Sequence, residues 1–287
     1  MDDRIPNRAR RCTRLASRPT LAYFTEGTPM SDLTATLTLV GGPTVLIEVA
    51  GARLLTDPTF DPPGSYRSGP VTLEKRTGPT LAAAEVGPID AVLLSHDQHA
   101  DNLDGAGRAF LGVARATYTT RAGAGRLGGT TRGLAPWQTT EITGAGAQPL
   151  YLTATPARHG PVGIEPISGD VIGFLIGVET PGDAIYVTGD TVWYEGVAEV
   201  AHRYRPRLVV VFAGSAKTRG SFHLTMDSND AIETAHAFPD AQIVAAHTEG
   251  WAHFTESQQE LAQAFSVLGL GNRLHPLEAG VPATLKL

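Results

Sequence analysis

The sequence predicts a mixed α/β protein in which two mixed sheets pack together with helices outside, a four-layer αββα sandwich. Two observations predict it. Strands come first as a meander and later alternate with helices, and no internal repeat or low-complexity segment interrupts that order. Thr34 to Val40 alternates, Gly41-Gly42-Pro43 turns the chain, Thr44 to Ala50 returns, and Arg53 to Thr56 follows the turn at Gly51. Asp57 to Pro70, rich in Pro, Gly and Ser, reads as a long loop with room for function. A short helix near Leu81 to Val86 and a buried strand at Ala91 to Ser95 come next. Further strands are expected at Leu150 to Thr155, Val171 to Glu179, Ala184 to Thr188, Leu208 to Phe212 and Gln242 to Ala246, each an apolar or alternating run between turn residues. Helices are expected at Val192 to Arg203, at Asp227 to Ala237 with Asp227 or Ser228 as N-cap, and at Glu256 to Leu268 after Thr255.

Composition narrows the function classes. The 287 residues carry a formal charge of −6, so no basic footprint for nucleic acid is expected. No apolar run approaches the roughly 18 to 20 residues of a membrane helix. Cys12 is the only cysteine, which excludes an intramolecular disulfide and a Cys-rich zinc module; any metal site must use His and carboxylates. Residues 1–30 hold six Arg against three acids and show neither apolar periodicity nor a signal-peptide core. They read as a disordered tail, with 31–287 as one domain and a cytoplasmic location.

The chemistry-bearing residues fall directly after predicted strands: His96, His99 and Asp101 after Ala91 to Ser95, His159 after Leu150 to Thr155, Asp190 after Ala184 to Thr188, and His247 after Gln242 to Ala246. Loops at one edge of a rigid sheet bring distant positions to one spot. A lone His is more often structural than a ligand, but recurrence after several strands ranks metal binding first. The competing interpretation of His96 to Asp104 is a capped helix start, with Asp101 and Asp104 bonding backbone amides.

The segments VLLSHDQHADNLD (Val92 to Asp104), ATPARHGP (Ala154 to Pro161), YVTGDT (Tyr186 to Thr191) and AAHTEGWAHF (Ala245 to Phe254), with the TDP at Thr56 to Pro58, resemble the metallo-β-lactamase-fold hydrolase superfamily over about residues 33 to 260. Within it the chain looks most like the branch of ascorbate-phosphate lactonase-like proteins and the phospholipase D that cleaves N-acyl phosphatidylethanolamines. The resemblance implies the αββα metallo-β-lactamase fold, with metal ligands His96, His99, Asp101, His159, Asp190 and His247, Asp190 bridging two ions. The family's His-x-His-x-Asp-His motif is altered here. Anchored on its back half, His99-Ala100-Asp101-Asn102-Leu103-Asp104 matches, with Asn102 at the last His and one extra residue after His96; the other register puts Gln98 at the second His. We prefer the former, because the latter leaves Asp101 out of phase.

A carboxamide is a poor Zn2+ ligand, so the second of two ions is expected to bind more weakly, and an oxygen-richer site shifts preference toward Mn2+ or Fe2+. The implied function is metal-dependent hydrolysis of a small-molecule ester, lactone or phosphodiester-type substrate. A metal ion lowers the pKa of its water from 15.7 toward about 7, and the resulting metal-bound hydroxide attacks while Asp101 or Asp190 accepts the proton. The alternative is a non-catalytic or single-metal ligand-binding protein on the same fold, motivated by Gln98 and Asn102. His223 reads equally as a pocket residue or a surface residue before a helix. His253 or Glu249 reads as an orienting partner of a ligand imidazole, and Asp57 as such a partner or a turn residue before Pro58. Trp193 and Tyr194 read as helix anchors; His202, His236 and His275 as surface residues.

Overall fold

The computed structural model describes residues 33–144 and 148–287, so the expectation for residues 1–30 lies outside the described residues. One sheet has seven strands in the order β15-β1-β2-β3-β6-β7-β8, built from β1 (Thr34–Gly41), β2 (Thr44–Val49), β3 (Ala52–Thr56), β6 (Ala91–Leu93), β7 (Thr117–Thr120), β8 (Thr131–Leu134) and β15 (Ala283–Lys286). The meander β1-β2-β3 is antiparallel, whereas β3, β6, β7 and β8 run parallel. The other sheet runs β14-β13-β12-β11-β10-β9, from β9 (Thr139–Ile142), β10 (Leu150–Pro156), β11 (Ile172–Gly177), β12 (Ile185–Val187), β13 (Leu208–Phe212) and β14 (Gln242–Ala246). Its β12, β13 and β14 are parallel, and β11 is antiparallel to both β10 and β12.

Period-two alternation builds the layers. In β13, Leu208, Val210 and Phe212 enter the core between the sheets, where Leu37, Ile47, Leu54 and Leu93 meet them from the other sheet. Val209 and Val211 face the opposite way, onto α5 (Glu195–Arg203), α6 (Ser228–Ala237) and α7 (Gln258–Val267), packing with Val197, Ile232, Leu261 and Phe265. The first sheet's outer face packs Leu46, Leu55 and Val92 against Val86 of α1 (Ala83–Val86) and Phe110 of α2 (Gly105–Phe110). A strand covered on both faces is apolar at every position, which is why LVVVF is a continuous run.

The four-layer order matches the expected fold class, with local differences. The span Asp57 to Pro70, expected as loop, contains β4 (Gly64–Ser68), which pairs with β5 (Val71–Lys75) in a separate hairpin. Helix α5 begins at Glu195, after an extended Tyr194, and α7 begins at Gln258, each later than expected; in α7 it is Ser257 rather than Thr255 that caps the helix, accepting from Glu260 N. Of the two residues expected as N-cap of α6, it is Asp227 that caps it, accepting from Asp230 N, while Ser228 is the first residue of the helix. Helix α3 (Arg121–Leu127) lies between β7 and β8 in a span for which no element was expected.

Candidate metal centre

Strands β3, β6, β10, β12 and β14 end at one edge of the sandwich. In the second sheet, β10 and β12 are each antiparallel to β11, so they point the same way, and β13 and β14 follow β12. The two sheets are joined at this edge by a bond from Ile172 N to Ser95 O of 3.2 Å. Tight backbone packing places the loops. A Cβ at Gly214 would collide with the His247 carbonyl, so only glycine lets the chain after β13 pass. His247 itself sits at φ 59°, a left-handed conformation costing a non-glycine residue about 1–3 kcal/mol, held by its N–H on Gly42 O at 2.8 Å.

Two groups of side chains assemble here. In the first, His96 Nε2 lies 2.7 Å and His159 Nε2 3.2 Å from His99 Nδ1. His159 Nδ1 is 2.8 Å from the Leu224 carbonyl, which only accepts, so Nδ1 carries the proton and Nε2 presents its lone pair. The Ser95 hydroxyl donates to Asp57 Oδ1 and therefore accepts from His96 Nδ1 at 2.9 Å, which orients the second imidazole alike. Burial holds His96 well below the usual histidine range, and burial likewise lowers His99 and His159 to about 4, so all three stay neutral at pH 7.

In the second group Asp101, Asp190 and His247 converge, all buried. His247 Nε2 is 3.6 Å from Asp101 Oδ2 and its Nδ1 3.4 Å from Asp190 Oδ1, while Asp190 Oδ2 faces His159 Nε2 at 3.5 Å. Asp190 thus spans the two groups. Burial raises its carboxyl. Burial would also raise Asp101, but His253 and His247 beside it hold that carboxyl well below its ordinary value. Burial disfavours the His247 cation, yet Asp190 and Asp101 outweigh it and raise the imidazole.

The donor set fits a cation. Asp190 Oδ2 and both nitrogens of His247 are buried without a hydrogen-bond partner, a costly state for polar atoms unless another group engages them. Imidazole and carboxylate donors, with neutral histidines already oriented by Ser95 and Leu224, suit Zn2+, Mn2+ or Fe2+. All six expected ligand residues come to this edge. Between the two registers of the turn, His99 faces the cluster, whereas Gln98 packs along Gly169. Asn102 reaches the site through Nδ2, which donates to Asp190 Oδ1 at 3.2 Å.

Some expected roles are resolved differently. Asp57 is the partner that fixes Ser95, accepting from both its N–H and hydroxyl at 2.8 Å; burial and Asp190 raise its carboxyl. His223 bonds Asp230 and leaves the site, and Glu249 accepts from Gly42 N. Trp193 and Tyr194 pack against the outer helical layer. Ser95 and the Leu224 carbonyl were not anticipated; their only signal is adjacency to a strand end or to a ligand in space. The groups open onto a cavity of ≈ 20 Å³ lined by His99, Asp101, His159, His253, Leu224 and Arg219. A larger cavity of ≈ 350 Å³, bordered by Arg121, Pro136, Arg158 and Asp170, shares His159 with it.

Fold and site together define a class, and a family model described as a β-lactamase superfamily domain matches residues 52–248; the chain belongs to that superfamily. The UPF0173 protein YddR of Bacillus subtilis (strain 168) is 26% identical over 256 residues, spanning 85% of this chain and 97% of that protein. Among solved structures, an isothiocyanate hydrolase from Delia radicum gut bacteria superposes with a TM-score of 0.74 at 23% identity, covering 88% of this chain and 100% of that one. Igni18, a metallo hydrolase from the archaeon Ignicoccus hospitalis, gives 0.66 at 19% identity, covering 88% of this chain and 99% of that one. These likenesses establish the fold. Among the described residues no helix is long and apolar enough to cross a membrane.

Proposed function

We propose that this protein is a metal-dependent hydrolase of a small molecule bearing an ester, lactone or phosphodiester-type bond. One observation carries the reading: three neutral imidazoles, two of them oriented by Ser95 and the Leu224 carbonyl, converge beside a buried Asp190 whose Oδ2 has no hydrogen-bond partner. His96, His99 and His159 hold one cation; Asp190 borders it and, with Asp101 and His247, lines a second position. A divalent cation bound there supplies water activated at neutral pH and positive charge for a developing oxyanion. Asp190 Oδ2 is the atom placed to take the released proton, with Asp101 beside it. The ≈ 350 Å³ cavity lies within the range of ligand pockets, about 300–1,000 Å³, and accommodates the substrate body next to His159.

The test is to load the purified protein with Zn2+, Mn2+ or Fe2+ and offer a panel of nitrophenyl esters, lactones, phosphodiesters and an isothiocyanate, the substrate class named for one structural neighbour. Metal-dependent turnover of at least one class, abolished in His159→Ala and Asp190→Ala with the fold retained, is the expected result. Metal binding without turnover of any class would favour a ligand-binding role instead.

A further inference from the structure

We propose that His253 supplies the imidazole missing at Asn102, so that Asp101, Asp190, His247 and His253 together hold the second metal ion. The inference rests on the metal reading of the site. Asn102 offers only a carboxamide: its Nδ2 is turned to Asp190, where it steadies a carboxylate, and its Oδ1, buried without a hydrogen-bond partner, is a neutral and weaker donor than an imidazole. His253 Nε2 stands 2.8 Å from Asp101 Oδ2, the same oxygen that His247 Nε2 approaches at 3.6 Å. Donors bound at about 2.0–2.2 Å to one ion stand about 2.8–3.6 Å from each other for octahedral to tetrahedral angles, and the separations of His253 and His247 from Asp101 Oδ2 both fall in that range; donor atoms of Asp101, Asp190 and His247 lie within 4.8 Å of one another, and His253 joins them through Asp101. The His253 side chain is 9% exposed and borders the same cavity as His99 and Asp101.

The surrounding backbone holds His253 in this place from two sides. Lys75 of β5 bridges Trp251, with Ala252 N bonded to Glu74 O at 2.9 Å. On the other side Lys217 N bonds the His253 carbonyl at 3.0 Å and Ala216 bridges Phe254. The ring is further packed edge-on against Phe254 with centroids 4.7 Å apart. A histidine pinned by a hairpin on one flank and a loop on the other, with its Nε2 on a candidate ligand carboxylate, is placed as a donor rather than as a mobile surface group.

The experiment measures metal content after gel filtration and affinity by chelator competition, using Zn2+ on the full chain. Wild type is expected to retain two ions, His253→Ala one, and His253→Ala/Asn102→His two again, because an imidazole returned at 102 replaces the one lost at 253. Thermal melts check folding, and His253→Gln serves if the alanine variant is unstable. Two ions in His253→Ala would overturn the proposal. So would loss without rescue by Asn102→His, which would leave His253 only the task of orienting Asp101. A wild type holding a single ion overturns it while the hydrolase reading survives on the three-histidine group. A wild type holding none overturns both.

Discussion

The sheet-edge site and the His223–Asp227–Asp230 group on the flank of α6 contain the same residue types at similar spacings, yet they are wired differently. In the flank group Asp227 accepts from Asp230 N at 3.0 Å and caps α6, while Asp230 Oδ2 accepts from Trp193 N at 2.9 Å and from His223 at 3.0 Å. Its polar atoms already serve the backbone and one another, at partly buried positions. At the sheet edge, Asp190 Oδ2 and the His247 nitrogens are buried without a hydrogen-bond partner. Proximity of His and Asp therefore does not identify a ligand site; the partners of each polar atom do. The same contrast occurs inside a single turn. Asp104 accepts from Phe60 N, Asp61 N, Gly107 N and Lys75 Nζ and is structural, whereas Asp101 faces His247 and His253.

The largest expected effect lies on the structural side of this contrast. Asp104→Ala removes a cap and leaves Lys75 buried without its counter-charge, which should cost about 3–5 kcal/mol in urea denaturation. A loss below about 1 kcal/mol would show that Lys75 finds another partner. Next, His159→Ala removes one of three convergent donors and should weaken Zn2+ binding by at least about 100-fold, beyond the usual 10 to 100-fold loss for outer partners, with the melting temperature of the metal-free protein little changed. Unaltered affinity would remove His159 from the ligand set.

Metal loading offers a third measure. Zn2+ at about 100 times its dissociation constant should raise wild-type stability by about 2.7 kcal/mol, and His223→Gln by the same amount. A smaller gain in His223→Gln would mean that the flank group binds the ion after all. The smallest effect is the pH dependence of His223 itself. Its hydrogen bond to Asp230 raises its pKa above the unfolded value of about 6.5, so its contribution is full below that pH and fades as pH rises through the folded value. The side chain is 31% exposed, and solvent screening limits the contribution to about 0.5 kcal/mol. His223→Gln should thus destabilise at pH 5.5 and be neutral near pH 9 in thermal melts; the opposite trend would contradict this assignment.

Much of the fold was legible because its signals are local. Strand β13 and the cap at Asp227 follow from alternation and side-chain chemistry that neighbours in sequence already display. The hairpin β4-β5 was not legible, since GSYRS and VTLEK are largely polar and follow a Pro-rich stretch; they become strands by pairing with each other. Short β7, β8 and β9 were missed for a similar reason, as TYTT, TRGL and TTEI carry little apolar pattern and become strands by pairing with their neighbours in the sheets.

By itself the sequence determined that the candidate His and Asp residues follow strands, because strand ends and turn residues are written in consecutive positions. Tertiary structure decided which of them meet. Asp104, tied to α2 and to Phe60 and Asp61, anchors the back half of the turn, so the extra residue falls between His96 and His99 and it is His99 that faces His159. It also carried His253 to Asp101, 152 positions away, by clamping its loop between β5 and the chain after β13. Such encounters depend on backbone paths set by packing between layers, and no window of sequence contains them.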